Sequence, residues 1–523
     1  MKRIEILDST LRDGVQGEGI SLSVEDKIKI TKVLDGFCID YIEAGFPASN
    51  HKDAEYFEKM KSVELSHAKL AAFSPTVHPG QEPEGSEAIK KLIDAGTPAV
   101  VIFGKASSEQ VKEVLKISRD DNLGIIFKTV KYLKAQGKEV IFDAEHFYKG
   151  CKTDPEYALA VLKCASDAGA DVLCLCDTTG DTMPKEAEEI TKAAVKAFPD
   201  KRVAVHFHDD TGCAVADSII AAECGASQIQ GTFLGFGERC GNADLSVIIP
   251  DLKFKLGYEF GADMRTLKNS ANAISEISNT RIRNNNPYIG KSAFNHKAGM
   301  HIDAVKKYPA SFEHIDPAEV GAERRFLLSE ISGRNTLLDR VREIIPGAEK
   351  DSPELALALN ALKEKEYFGY HYEAAEASLK LLLRKVFYKY EPHFNVSLYK
   401  TTDDFPSANG ELTSCSVVQI EVGGKTEMGT SLGNGPVNAL DKALRRALRA
   451  FYPVIDEMSL SDFKVRVIDS TTTTAAKVRV LIESTDNKET WTTVGVSFDI
   501  IEACLQALTD SFEYKLLKSD KTT

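Results

Sequence analysis

The chain has 523 residues, enough for more than one domain with its own core. Its 43% apolar and 27% charged residues are ordinary for a globular protein in water. The net charge of -13 argues against nucleic acid or an anionic membrane as main partner, while leaving room for a local basic pocket.

The opening residues, Met1-Lys2-Arg3-Ile4-Glu5, turn charged before an apolar leader could form, and no apolar run is long enough to span a bilayer. Short apolar strands are predicted over residues 4–7, 41–44, 70–73, 99–103, 139–142, 172–176, 203–206 and 228–232. Helix-like segments such as 24–36, 87–95 and 155–168 alternate with them. About eight such units within residues 1–264 predict a (β/α)8 TIM barrel. A doubly wound open sheet is less favoured, because no G-x-G-x-x-G follows the first strand.

Polar residues cluster where those strands end. Asp8, Arg12 and Asp13 follow the first strand and Glu43 ends the second. Glu145 and His146 follow the fifth, and Asp177 and Thr178 the sixth. His206 and His208 end the seventh, and Gly237-Glu238-Arg239 and Asn242 follow the eighth. All belong to the carboxyl face, where barrels of this kind hold their active sites. The ten cysteines are scattered without a C-x-x-C pair, so reduced thiols in a cytoplasmic protein are expected. Cys174 and Cys176, two apart on one strand, share a face.

Residues 265–392 read as a helical linker region, with helices near 354–365 and 372–386 after a segment over 294–304. From 393 to 523 one unit is written twice, predicting an α+β domain with two pseudo-repeats. Strands 417–422 and 425–431 flank Gly423-Gly424, and strands 477–485 and 488–497 flank Asp486-Asn487. A helical stripe follows each hairpin: Leu440, Leu444, Ala447, Leu448 and Phe451, then Ile501, Cys504, Leu505, Leu508 and Phe512. No catalytic constellation stands in this part, so ligand sensing or dimerisation is expected of it.

Alternate residues on a strand face one way, so His206 and His208 project together. With Asp13 and the Asn242 carboxamide they form a candidate set for Zn, Mn, Mg or Co. One carboxylate offsets only part of a divalent charge, so the ion stays a Lewis acid. A 2-oxo acid suits such a centre, since its carboxylate and keto oxygens chelate an ion in a five-membered ring. Arg12 can steady the oxyanion or enolate, unless it serves only as a structural ion pair. Glu145 can anchor a water or proton relay, and Thr178 can bind a substrate carboxylate. His301 is the candidate base, because histidine titrates near neutral pH.

Asp8-Ser9-Thr10-Leu11-Arg12-Asp13-Gly14-Val15-Gln16, His206-Phe207-His208-Asp209-Asp210 and Gly237-Glu238-Arg239-Cys240-Gly241-Asn242-Ala243 resemble the metal-dependent barrel enzymes that condense acetyl-CoA with 2-oxo acids. That family includes 2-isopropylmalate, homocitrate and citramalate synthases. Glu18-Gly19-Ile20-Ser21, Phe142-Asp143-Ala144-Glu145-His146-Phe147, Glu313-His314-Ile315-Asp316-Pro317 and Glu373-Ala374-Ala375-Glu376-Ala377 look like the citramalate subgroup. The resemblance implies that Asp13, His206, His208 and Asn242 bind the metal. It implies substrate binding by Arg12, Gln16 and Thr178, and catalysis by Arg12, Glu145 and His301. It also implies condensation of acetyl-CoA with pyruvate to citramalate in isoleucine biosynthesis, with thioester hydrolysis making the step irreversible. A homodimer, in which His301 comes from the partner, and an isoleucine-sensing terminal domain are implied too.

The chain departs from the subgroup at Phe103-Gly104-Lys105-Ala106-Ser107-Ser108, where a tryptophan-rich stretch is usual. Val77-His78 replaces a basic pair, and Phe312 stands where a tyrosine is common. The rival readings are 2-isopropylmalate or homocitrate synthase, a lyase of the 3-hydroxy-3-methylglutaryl-CoA type, and a catalytically silent metabolite-binding regulator.

Overall fold

The computed structural model describes residues 2–326, 338, 341–342, 344–345, 347–349, 351–404, 413–468, 476–486 and 489–519. The chain divides into two compact units, Met1–Asn295 with Glu313–Arg324, and His296–Phe312 with Arg325–Thr523.

In the first unit eight strands form a closed barrel in chain order: β1 (Glu5–Asp8), β2 (Tyr41–Glu43), β3 (Lys69–Pro75), β4 (Ala99–Lys105), β5 (Glu139–Glu145), β6 (Val172–Asp177), β7 (Arg202–Phe207) and β8 (Gln228–Gly231). All neighbours are parallel, and β1 pairs with β8 to close the ring, which rules out the open sheet. Each strand is covered on two faces, which is why these segments read as short continuous apolar runs. Every residue of β6 is buried.

Two apolar layers result. Leu7, Tyr41, Val101, Ile141, Cys174 and Ala204 belong to the core inside the barrel. A larger core packs the outward strand residues against helices that include α1 (Val24–Gly36), α2 (His51–Met60), α3 (Glu87–Asp94) and α4 (Arg119–Ala135). Helices α1 and α4 start alike: Ser23 with Asp26, and Ser118 with Asp121, form reciprocal capping boxes that satisfy the first free N–H groups. The amino-end floor of the barrel is polar. Arg202 reaches Glu139 at 2.6 Å and Glu5 at 3.0 Å, Lys69 pairs with Glu139 at 2.8 Å, and Tyr41 donates to Glu139 at 2.8 Å. Such a network closes the bottom and leaves the carboxyl face for chemistry.

The second unit contains two three-stranded antiparallel sheets. Strands β9 (Asn395–Asp404), β10 (Thr413–Val422) and β11 (Lys425–Gly433) form one; β12 (Ser459–Val467), β13 (Val478–Thr485) and β14 (Thr490–Ser497) form the other. Both predicted hairpins are present, each with one further strand on its N-terminal side; Asn487 and Lys488 of the second predicted hairpin lie outside the described residues. Each sheet carries a helix, Pro436–Arg449 or Ile500–Ser519, and both predicted stripes enter one shared core.

The duplication extends to contact detail. A Cβ at Gly429 would run into the carbonyl oxygen of Ala443, and one at Gly495 into that of Ala503. Each glycine lets its helix lie directly on its sheet. Gly429→Ala and Gly495→Ala are each expected to cost about 1–3 kcal/mol through overpacking, read as an earlier denaturation midpoint of the second unit. Unchanged midpoints in both would show that the close approach is not required.

Candidate active site

The first candidate metal ligand, Asp13, is set by a turn. Beyond β1, the N–H groups of Arg12, Asp13 and Gly14 all point to the Ser9 carbonyl, which folds the chain back over the barrel mouth. Asp13 is thereby buried beside β7, whose last inward residue is His206. His208 lies just past that strand, its N–H directed at the Asp177 carbonyl at 3.4 Å. Asn242 is delivered by the loop after β8, which runs back antiparallel to residues 207–209 and makes a bridge between Asn242 and His208. Arg239 clamps that loop: it holds Asp210 through two 2.8 Å bonds and donates to the Thr178 carbonyl at 3.0 Å. Gly237, at φ +154°, makes room for Asn242, because a Cβ there would strike the carboxamide nitrogen.

Ligand atoms of Asp13, His206 and His208 lie within 4.8 Å of one another. The Asn242 Nδ2 donates to Asp13 Oδ1 at 3.1 Å and to the Phe236 carbonyl at 3.0 Å. Its Oδ1, and the Nδ1 of His208, are buried without a hydrogen-bond partner among the described residues. Buried acceptors without partners are costly, and both of these belong to residues that neighbour the Asp13 carboxylate, which fits a bound cation. Burial pushes the Asp13 carboxyl up, but Arg12, His206 and His208 outweigh it and hold the group well below the usual range. Burial, with the neighbouring His206, lowers His208 to about 4, so its imidazole is neutral and free to ligate at neutral pH.

Arg12 is the hub beside this set. Its Nη1 meets Asp13 at 2.7 Å, while Nε and Nη2 meet Glu43 Oε2 at 2.9 and 2.8 Å. Glu43 is fully buried and also accepts from Ser9. The guanidinium lies 4.1 Å from the centre of the Phe73 ring, which stacks on Phe103 at 5.2 Å. Arg12, Gln16, Phe46 and Phe73 help line a cavity of about 270 Å³.

Glu145 ends β5 and pairs with Lys105 of β4 at 2.7 Å. Thr178 sits after β6, and its hydroxyl accepts from the His146 N–H at 2.9 Å. His301 belongs to the second unit, where its ring stacks on Phe312 with centroids 4.1 Å apart. Sequence reasoning missed Lys105, Asp143 and Gln230. Gln230 Oε1 faces His206 Nδ1 at 3.2 Å, and its Nε2 donates to Asp143 Oδ1 across the barrel at 3.3 Å. The available signal was a pair of glutamines, Gln228 and Gln230, breaking an apolar strand.

The HMGL-like family profile matches residues 3–274, that of the homocitrate synthase post-HMGL domain 288–365, and that of the LeuA allosteric (dimerisation) domain 373–516. The (R)-citramalate synthase of Aquifex aeolicus is 46% identical over 99% of both chains. Sulfolobus acidocaldarius supplies a paired comparison. Its (R)-citramalate synthase is 39% identical over 99% of both chains. Its 2-isopropylmalate synthase is 34% identical over 74% of this chain and 97% of its own.

Proposed function

We propose that this chain, which belongs to the HMGL-like family and to its citramalate synthase branch, joins acetyl-CoA to pyruvate to give (R)-citramalate and CoA. The observation that carries this reading is the whole-length identity to (R)-citramalate synthases, which spans the barrel and the terminal domain together. The reaction is an acyl transfer in which the acetyl methyl carbon attacks the keto carbon of pyruvate and water then cleaves the thioester.

A divalent ion held by Asp13, His206, His208 and Asn242 would supply Lewis-acid polarisation of the 2-oxo acid. The protein's own part begins with Arg12. Two carboxylates and an aromatic face hold its guanidinium in one orientation, while its remaining N–H groups can meet the oxygen on which negative charge develops. No reorganisation is then needed as charge builds. Phe46, Phe73 and Phe103 form a bulky wall beside Arg12 that favours a short 2-oxo acid. Thr178 and Gln16 bind substrate oxygens, Glu145 positions a water or relays a proton with Lys105 as anchor, and His301 removes a proton from the acetyl methyl group.

In this reading residues 1–264 are the catalytic barrel, 265–392 contribute to the active site and 393–523 regulate. The chain works as a homodimer in the cytoplasm, where its ten free thiols persist, and each His301 serves the partner's barrel. Isoleucine is the effector of the terminal domain.

Release of free CoA from acetyl-CoA tests the substrate directly. It is expected with pyruvate and a divalent ion, and to be at least about 10-fold slower with 2-oxoisovalerate or 2-oxoglutarate, the scale of one or two misfitted carbon groups. Isoleucine should slow the pyruvate reaction. A preference for a longer 2-oxo acid would overturn the substrate, and no release with any of them would overturn the synthase reading.

A further inference from the structure

Beneath the candidate catalytic centre, inside the barrel, lies a second cluster that the proposed chemistry leaves unused. Asp143 of β5 and Cys174 of β6 are register neighbours on adjacent strands, and Cys176 follows two residues on with its side chain on the same face. Atoms of the three lie within 4.8 Å of one another, and all three residues are buried. The two sulfurs are 3.9 Å apart. A tetrahedral ion with metal–sulfur bonds of about 2.3 Å needs its two sulfurs about 3.8 Å apart, so the pair is already spaced to chelate. Two thiolates and one carboxylate suit a soft divalent ion far better than Mg or Mn. None of these residues belongs to the Asp13, His206, His208 and Asn242 set.

We propose that Asp143, Cys174 and Cys176 form a second cation site, selective for soft divalent ions such as cadmium or zinc, whose occupation inhibits the enzyme. On binding, the ion forms two sulfur bonds and one carboxylate bond, and the two thiol protons leave to solvent. No oxidant or reductant is required. The route to inhibition is structural. Gln230 donates to Asp143 with one end and holds His206 Nδ1 with the other. An ion that claims the Asp143 carboxylate withdraws Gln230's acceptor and so loosens His206, one of the candidate catalytic ligands. Binding is independent of the function proposed above; the inhibitory consequence rests on it.

The test titrates the full chain, saturated with Mg²⁺, with Cd²⁺ and follows the ultraviolet thiolate-to-cadmium charge-transfer band. One equivalent of band-producing ion is expected per chain. The band should be lost in Cys174→Ser and in Cys176→Ser and retained in Cys240→Ser, which removes an exposed thiol. Cd²⁺ should stop CoA release in the unmodified chain despite excess Mg²⁺, and should lose that effect in Cys174→Ser. Crystals grown with Cd²⁺ give a variant-free check, with an anomalous peak expected between the two sulfurs and Asp143. Absence of the band in the unmodified chain, an undiminished band in both buried-cysteine variants, or cadmium peaks only elsewhere would overturn the site. A band and peak as expected without inhibition would overturn the regulatory consequence alone.

Discussion

Replacing His208 with alanine is expected to lower kcat for CoA release at least about 10³-fold, the equivalent of about 4 kcal/mol of transition-state stabilisation. The side chain is buried at the barrel mouth, its imidazole is neutral at working pH, and its Nδ1 has no partner among the described residues. Those features serve a ligand and do nothing for a packing residue. The loss should therefore appear as weaker divalent-ion binding by calorimetry, with the thermal midpoint of the metal-free protein almost unchanged. A variant that keeps the full rate would exclude the ligand role. The same variant also probes assembly. His208→Ala and His301→Ala chains, each inactive alone, are expected to regain activity when unfolded and refolded together, because a mixed dimer contains one barrel with both groups. No recovery would place His301 in its own subunit's site or outside catalysis.

Arg12→Met is expected to damage both stability and turnover, and the two effects can be separated. Glu43 is wholly buried, and Arg12 is the cation that faces its carboxylate. Removing that partner strands a buried charge, a loss of about 3–5 kcal/mol. Burial favours an uncharged arginine, yet Glu43 and Asp13 together hold its pKa above the usual value, so the charge persists at every working pH. Turnover should fall about 10²–10³-fold through the lost oxyanion donors. In Arg12→Met with Glu43→Gln the stranded Glu43 charge is gone, so much of that stability should return while turnover stays low. Recovery of turnover together with stability would show that Arg12 acts only as a structural ion pair. Arg12→Lys should also be poorly active, because one ammonium cannot bridge Glu43 and Asp13 as the planar fork does.

The barrel was legible because its strands are covered on both faces and so appear as uninterrupted apolar runs. Segment 172–176 became β6, and 99–103 became β4 with two more residues at its carboxyl end. In the two three-stranded sheets the unanticipated strands, β9 and β12, are edge strands. Their alternating apolar residues are few and half-buried or exposed, Val396 and Leu398 in one and Phe463, Val465 and Val467 in the other, so neither marks a core face as a buried strand does. The same distinction applies at the site. His206 lies at the end of β7, and Asp13, His208 and Asn242 follow strand ends, where topology alone brings residues to one mouth. Asp143 and Gln230 lie within strands and meet only because the barrel closes, so no spacing along the chain announces their bond. Glu43 was visible as a polar strand end, but its hold on Arg12 needed coordinates.

The measurement closest to the heart of this account is anomalous diffraction from crystals of the full chain grown with Mn²⁺. One strong peak is expected at about 2.0–2.3 Å from a carboxylate oxygen of Asp13, a ring nitrogen of each of His206 and His208, and the Asn242 carboxamide oxygen. Manganese bound elsewhere, or Asp13 and the two imidazoles contacting no common ion, would contradict it.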